Sequence, residues 1–372
     1  MSGHKRPRMA FILPGVGVVG RGAETFVLEL SQRLEEKFDI SIICRGQANH
    51  RCIHAGAIPR DLPWLQNSYR NRYIRKISDI LFLDPCDMES LSFSVNALPV
   101  LLRTNFDLIV SVNGIWGAMA CRIIRRFKGT PFITVGQAGI GRPDLWQARQ
   151  RPNTHVVLTE HAHTWIGKVC PKLNVEVIPN GVDLMRYSST VQPVECHLER
   201  PIYLCTAALV PYKNISCAIA ALAQLEKGSL IVLGAGPLQS ELENQGMRQL
   251  GPKRFVLKAV PYREMPAYYA ACDVFTLVSE KECEAFGIVY LEALACNKPV
   301  VATVDPIRAE IIGNAGILCD GHNIKEYAAA LKRAAIDDFG DKPRRQAEKF
   351  SWDLISMQYQ RLIETCISSN VG

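Results

Sequence analysis

DVFTLVSEKECEAFGIVYLEALACNKPVVAT, residues 273–303, reads as strand, loop, helix and strand in one pass. DVFTLVS is an apolar run of strand length, VYLEALA has the density of a buried helix, and PVVAT is a second apolar strand. Such a unit builds a sheet with helices on its faces. Two carboxylates stand inside it, Glu284 and Glu292, eight positions apart. At 3.6 residues per turn an offset of eight returns to nearly the same face, roughly 12 Å along the axis. The N–H groups at the helix start lack intrahelical partners and lie at the positive end of the dipole, so an anion can bind there. A phosphate at the helix mouth and hydroxyls at the two acids describe a nucleotide sugar.

Outward from this stretch the alternation continues. Towards the N-terminus come PIYLCTAAL (201–209), the helical NISCAIAALAQLEK (214–227), SLIVLGAGP (229–237) and RFVLKAV (254–260). SSTVQPVECHLER, between Tyr187 and Pro201, is polar and unpatterned and reads as a linker. Before it the same rhythm appears in MAFILP (9–14), DISIIC (39–44), FDLIVSVNG (106–114), TPFITVG (130–136) and THVVLTE (154–160). Two runs of strand–helix repeats on either side of a linker imply an α/β chain of two Rossmann-like, doubly wound domains. The expected boundaries are 1–185, a linker at 186–200, 201–345, and a tail of amphipathic helix, 346–372, packing back on the first domain.

The chain has 372 residues, 48% of them hydrophobic, a composition that excludes a disordered polymer and allows two cores. No apolar run reaches the roughly 18–20 residues of a membrane span, and AFILP is too short for a signal-peptide core, so a cytoplasmic protein is expected. Thirteen cysteines lie scattered with no C-x-x-C spacing, which suits free thiols in a reducing compartment. The net charge of +7 is uneven, with 23 Lys/Arg against 15 Asp/Glu in residues 1–185. That half is the one to meet an anionic partner or surface. WLQNSYRNRYIRKISDILFL (64–83) adds a candidate helix with an apolar stripe and a basic flank. The stripe can face its own domain or a membrane.

Gly15-Val16-Gly17-Val18-Val19-Gly20 is a literal G-x-G-x-x-G after the first strand. It permits a dinucleotide reading, and Arg45 at the end of the second strand would suit a 2′-phosphate. Arg21 and Gly22 delay the helix and no acid ends the second strand, so a glycine-rich loop at the sheet edge is the plainer reading.

The second half resembles the family 4 glycosyltransferases, retaining enzymes of the GT-B architecture, through four strings in order. These are VIPNGVD (177–183), LGAGPL (233–238), AACDVF (270–275) and the E-x(7)-E of ECEAFGIVYLEALACNKPVVAT. The first half agrees more loosely. The resemblance implies two domains facing a cleft and a nucleotide-diphosphate sugar as donor substrate, with no cofactor and no metal. It implies that Glu284 holds the donor sugar and that Phe286, Gly287 and Ile288 offer N–H groups to sugar and diphosphate. Glu292 would bind the ribose, Lys213 would neutralise the diphosphate, and the backbone from Lys258 to Val260 would read the base. Gly20 and Gly22 would approach the donor phosphates from the first domain, with Gln137 and Arg21 as acceptor-side or auxiliary groups. Two departures stand out. Ala208 occupies a position where the family usually carries arginine, leaving Arg263, Arg308 or Arg21 to substitute, and Gln137 stands where a histidine is common.

The implied activity is metal-independent transfer of a hexose or related sugar to a glycan, lipid-linked or small-molecule acceptor. Peripheral contact with an anionic membrane surface, at its inner face, follows from the basic first half, and no nucleic-acid partner is expected. The alternatives are a non-catalytic nucleotide-sugar or glycan-binding protein of the same fold, and an NADP-dependent oxidoreductase built on the Gly15–Gly20 loop.

Overall fold

Short apolar runs form the strands, and the inner ones are buried on both faces, as parallel strands sandwiched between helices must be. The computed structural model describes residues 6–20, 22–47, 52–281 and 283–370. Arg21, named above as an auxiliary residue, lies outside them.

The first sheet contains β1 (Arg8–Ile12), β2 (Asp39–Cys44), β3 (Cys52–His54), β4 (Leu108–Val112), β5 (Phe132–Val135), β6 (Thr154–Val157) and β7 (Val175–Val177). Their spatial order is β3-β2-β1-β4-β5-β6-β7. The second contains β8 (Ile202–Thr206), β9 (Ser229–Leu233), β10 (Phe255–Lys258), β11 (Val274–Leu277), β12 (Val300–Thr303) and β13 (Gly316–Cys319), in the order β10-β9-β8-β11-β12-β13. Pairing is parallel throughout, with Met9 beside Leu108 in the first sheet and Phe275 beside Val300 in the second. Each sheet starts in its middle, winds outward, then returns to the middle and winds the other way. The reversals fall between β1 and β4 and between β8 and β11. Loops leave the carboxyl ends of such a strand pair in opposite directions, which opens a crevice where ligands of doubly wound sheets bind.

The chain divides into two units, Met1–Pro179 with Ile355–Gly372, and Asn180–Leu354. The 186–200 stretch belongs wholly to the second. The last helix, Trp352–Ser368, begins in the second unit and continues in the first, where Tyr359 packs edge-on against Phe26 at 5.4 Å between ring centroids. Among the described residues no helix is long and apolar enough to cross a membrane.

One local feature differs from the sequence reading, and two more lie in stretches that it leaves unassigned. Residues 64–83 form two helices, Pro63–Arg70 and Arg72–Leu81, because Asn71 is extended and caps the second through its side chain, which accepts from the N–H groups of Tyr73 and Ile74. Pro85–Arg103 is a long helix, started by the Asp84 side chain and by Pro85 at its first position, and it tolerates Pro99 inside. Cys52–His54 is a short strand at the edge of the first sheet.

Candidate functional site

In the second unit, the crevice between β8 and β11 gathers the loops that carry the chemistry. After β8 the chain makes a single 3-10 turn, Pro211–Lys213, closed by Asn214 at φ 52°. After β11 it runs through Ser279 and Glu284 to Gly287, which starts the helix Ile288–Ala295. The two loops are stitched together. The Glu280 N–H donates to the Tyr212 carbonyl (2.8 Å), and Asn214 Nδ2 donates to the Val278 carbonyl (3.1 Å). The backbone of the loop after β9 lies directly against them, with Leu209 N–H on the Ala235 carbonyl (3.0 Å). Gly234 is needed there, since a Cβ would run into the Ala207 carbonyl. The LGAGPL string is therefore a packing device that fixes the loop leading to Lys213.

Lys213 and Glu284 meet in an ion pair, with side chains only 12% and 18% exposed. Ser279 Oγ donates to the same Glu284 oxygen at 3.3 Å, and Thr303 holds the Ser279 carbonyl at 2.7 Å. The sequence separates a sugar ligand from a diphosphate ligand; the structure puts the two groups in contact. Beside them Gly287 has φ 91°, and a Cβ there would enter the ring of Tyr290, so only glycine fits. No side chain caps this helix start. Gly287 and Ile288 are partly exposed, whereas the Phe286 ring is buried edge-on to Phe350, leaving Phe286 only its backbone for a ligand.

Glu292 faces inward from the same helix and is buried. Tyr269 donates to it at 2.7 Å and is itself paired with Thr206 at 2.8 Å. Burial raises the Glu292 pKa; donation from Tyr269, the nearby Tyr187 hydroxyl and the charge of Arg186 pull it back. An acid in an apolar helix announces that it needs partners, but the sequence spacing does not identify Tyr269, Thr206 or Tyr187. Val260 lies just past the carboxyl end of β10, at the same sheet edge as Lys213. A groove of about 650 Å³ runs along that edge strand beneath residues 194–199 and includes Lys258 and Tyr268 but neither Lys213 nor Glu284.

Among the described residues, neither Arg308 nor Arg263 takes the place of the missing arginine. Ala208 is exposed. Arg308 is fully buried, paired with Asp305, and donates to the Glu280 carbonyl at 3.4 Å. The Arg263 side chain is 86% exposed beside Glu264. Arg308 thus braces the loop from behind and does not face a ligand.

In the first unit, Gly20 is exposed with open space around it, and Gly22 opens the helix Gly22–Leu34 at the carboxyl edge of β1. Gly15 is different: the Glu24 carboxylate sits where its Cβ would be. Arg45 is paired with the buried Glu89, which also binds Arg60. A pyrophosphate over Gly15 would face an acid, and a 2′-phosphate would find Arg45 already engaged. Both observations weigh against the dinucleotide reading. Gln137 follows β5 on a loop folded around Asp144, whose buried carboxylate accepts from Ala138 N (3.3 Å) and Gly139 N (3.0 Å). Burial pushes Asp144 up to about 7.

The family model for Glycosyltransferase Family 4 matches residues 20–186, and that for Glycosyl transferases group 1 matches residues 192–350. A GDP-mannose-dependent alpha-(1-6)-phosphatidylinositol monomannoside mannosyltransferase of Mycolicibacterium smegmatis is 31% identical over 196 residues, 48% of this chain and 50% of that protein. A D-inositol 3-phosphate glycosyltransferase of Corynebacterium jeikeium is 36% identical over 141 residues, 35% and 33% of the two chains. The aligned stretches thus span half or less of these relatives. Among solved structures, sucrose-phosphate synthase from Thermosynechococcus elongatus covers 98% of this chain and 100% of its own at TM-score 0.78 and 18% identity. Anabaena Alr3699/HepE, solved with UDP and glucose, covers 97% and 100% at 0.74 and 16%. These likenesses concern the fold. With its two halves matched in order by these two models, and its two sheets shared with such structures, the chain belongs to the family 4 glycosyltransferases of GT-B fold.

Proposed function

We propose that the protein transfers a sugar from a nucleotide-diphosphate sugar to a glycan or lipid-linked acceptor, with retention at the anomeric carbon and without a metal. The observation that carries this reading is the Lys213–Glu284 pair beside the uncapped helix start at Gly287. A diphosphate entering there takes Lys213 as counter-charge and the Gly287 and Ile288 N–H groups as donors. Glu284, released from Lys213, then accepts from sugar hydroxyls. As the glycosidic bond breaks, negative charge grows on the departing diphosphate, and a fixed cation with helix-start N–H groups stabilises that charge more than the ground state. Glu292 meets the ribose by exchanging part of its hydrogen bonding with Tyr269. Gln137 lacks a basic nitrogen, so proton removal from the acceptor falls to the departing phosphate. The relatives named for phosphatidylinositol monomannoside and inositol 3-phosphate support a lipid-linked or polyol acceptor, and HepE with UDP and glucose supports a nucleotide donor.

The test is incubation with UDP-, GDP- and ADP-sugars, with and without candidate acceptors, while released nucleotide and the anomeric configuration of product are followed. Release that depends on Lys213 supports the reading. Binding of nucleotide with no turnover for any donor and acceptor pair would favour a non-catalytic binder, which the exposed Ala208 supports by leaving Lys213 without its usual cationic neighbour. Stabilisation by NADP alone would overturn both.

A further inference from the structure

We infer that the helix Arg72–Leu81 is a docking element for the surface of an anionic lipid bilayer. None of its residues is buried. Tyr73, Ile74, Ile77, Ile80 and Leu81 are all exposed, Tyr73 at 80% and Ile77 at 58%. At 100° per residue these five fall within an arc of roughly 120°, while Arg72, Arg75, Lys76, Ser78 and Asp79 occupy the other side. Trp64, on the preceding helix, is exposed as well. Five contiguous large apolar side chains left in water on one helix face mark a surface with an occupant.

The chemistry of the occupant follows from the polar side. Arg70, Arg72, Arg75 and Lys76 are exposed, and the acid among them, Asp79, accepts from the Tyr69 hydroxyl. A helix with a narrow apolar face and a basic polar face lies in the plane of a bilayer surface, its long cations reaching the headgroups. A symmetric pairing of two copies would bring the same cations together, which disfavours a second chain as the occupant.

The helix is also held as a docking element should be. Its C-terminal end is pinned by Phe82, at φ 55°, whose ring lies 3.8 Å beneath the Arg142 guanidinium and edge-on to Trp146. Arg142 donates to the carbonyls of Asp79 and Ile80, and Trp116 Nε1 donates to the Phe82 carbonyl at 3.1 Å. Its N-terminal end is fixed by the Asn71 cap. Anchored at both ends and uncovered along its length, it presents a formed amphipathic face.

The experiment is co-sedimentation of the full chain with vesicles of phosphatidylcholine alone or with about 30% phosphatidylglycerol, at about 0.1 M and about 0.5 M salt. The expected result is binding to anionic vesicles that weakens with salt and is at least about tenfold poorer on neutral ones. Ile74→Glu with Ile77→Glu should reduce binding by at least about tenfold, and Arg72→Gln, Arg75→Gln and Lys76→Gln together by on the order of a hundredfold. Circular dichroism and melting should not change, because these side chains bury nothing. A control pair, Arg122→Gln with Arg126→Gln on the helix Ile115–Lys128, removes two positive charges from another basic helix and should leave binding intact. The proposal is overturned if the wild type stays in the supernatant with anionic vesicles, or if the control pair abolishes binding while the helix variants do not. A concentration-dependent dimer that the isoleucine variants disperse, without vesicle binding, would assign the face to a second copy instead.

Discussion

Lys213 and Glu284 neutralise each other across the crevice between β8 and β11, two residues separated by 71 positions in the chain. Any diphosphate that uses Lys213 must compete with Glu284, and this competition fixes the sign of two substitutions. Lys213→Met should weaken nucleoside-diphosphate binding by at least about tenfold, the worth of one charge-assisted contact. Glu284→Gln should free Lys213, so the same nucleotide binds as well or a few-fold better while turnover is lost. Calorimetric titration with UDP, GDP and ADP on both variants checks this. Equal losses of affinity in the two would mean that the ion pair is only structural.

Glu292 offers a second separation of roles. Its raised pKa means that ionisation of this buried acid opposes folding, so stability declines as pH rises from the ordinary carboxylate range through its folded value. Glu292→Gln removes the charge and should melt at or above the wild-type temperature near pH 8, while nucleotide affinity drops about tenfold through the lost ribose contact. Thermal melts and titrations on the same preparation decide between ribose ligand and core acid.

Asp144 should give the first unit a measurable pH slope. Its carboxyl titrates at about 7 in the folded chain, above an ordinary value of 3.8, so the folded state holds the proton longer and stability falls between those limits as pH rises. His155, buried against Thr134 and lowered from 6.5 to about 4, contributes the opposite slope between those two values. Comparing Asp144→Asn with wild type at each pH isolates the aspartate. The variant should gain stability relative to wild type from pH 5 to pH 8 in urea titrations.

Gly287→Ala tests the helix mouth. A side chain at φ 91° is strained and meets the fully buried Tyr290 ring, so a loss of about 1–3 kcal/mol is expected, with poorer nucleotide binding. Chemical denaturation and nucleotide titration read the two effects. An unaltered variant would mean that the loop rearranges freely.

The architecture was legible because apolar runs of strand length recur with helical segments between them, and DVFTLVS through PVVAT shows the whole unit. Glu284, Gly287 and Glu292 were legible because an acid in an apolar helix and a glycine before it are locally conspicuous. Their partners were not. Tyr269 belongs to another helix and Lys213 to another loop, and only the strand order brings them beside the acids. The Asn71 cap was written in the sequence as an asparagine ahead of Arg72-Tyr73-Ile74, but a continuous apolar stripe conceals it. The Asp84-Pro85 start of the next helix is a strong local signal that Pro99, further in, contradicts. Arg308 reads as an available cation until its burial against Asp305 is seen.

The wide chain separation of Lys213 and Glu284 has a kinetic meaning. β8 and β11 become neighbours only after the chain has laid down β9 and β10 and returned, so the contact carries a large loop-closure cost and forms after local helices and strand pairs. A folding intermediate with one flank of the second sheet assembled has the lysine without its acid. Recovery of nucleotide binding during refolding should therefore lag the recovery of helical dichroism, making the ligand a reporter of the last stage of assembly in that unit.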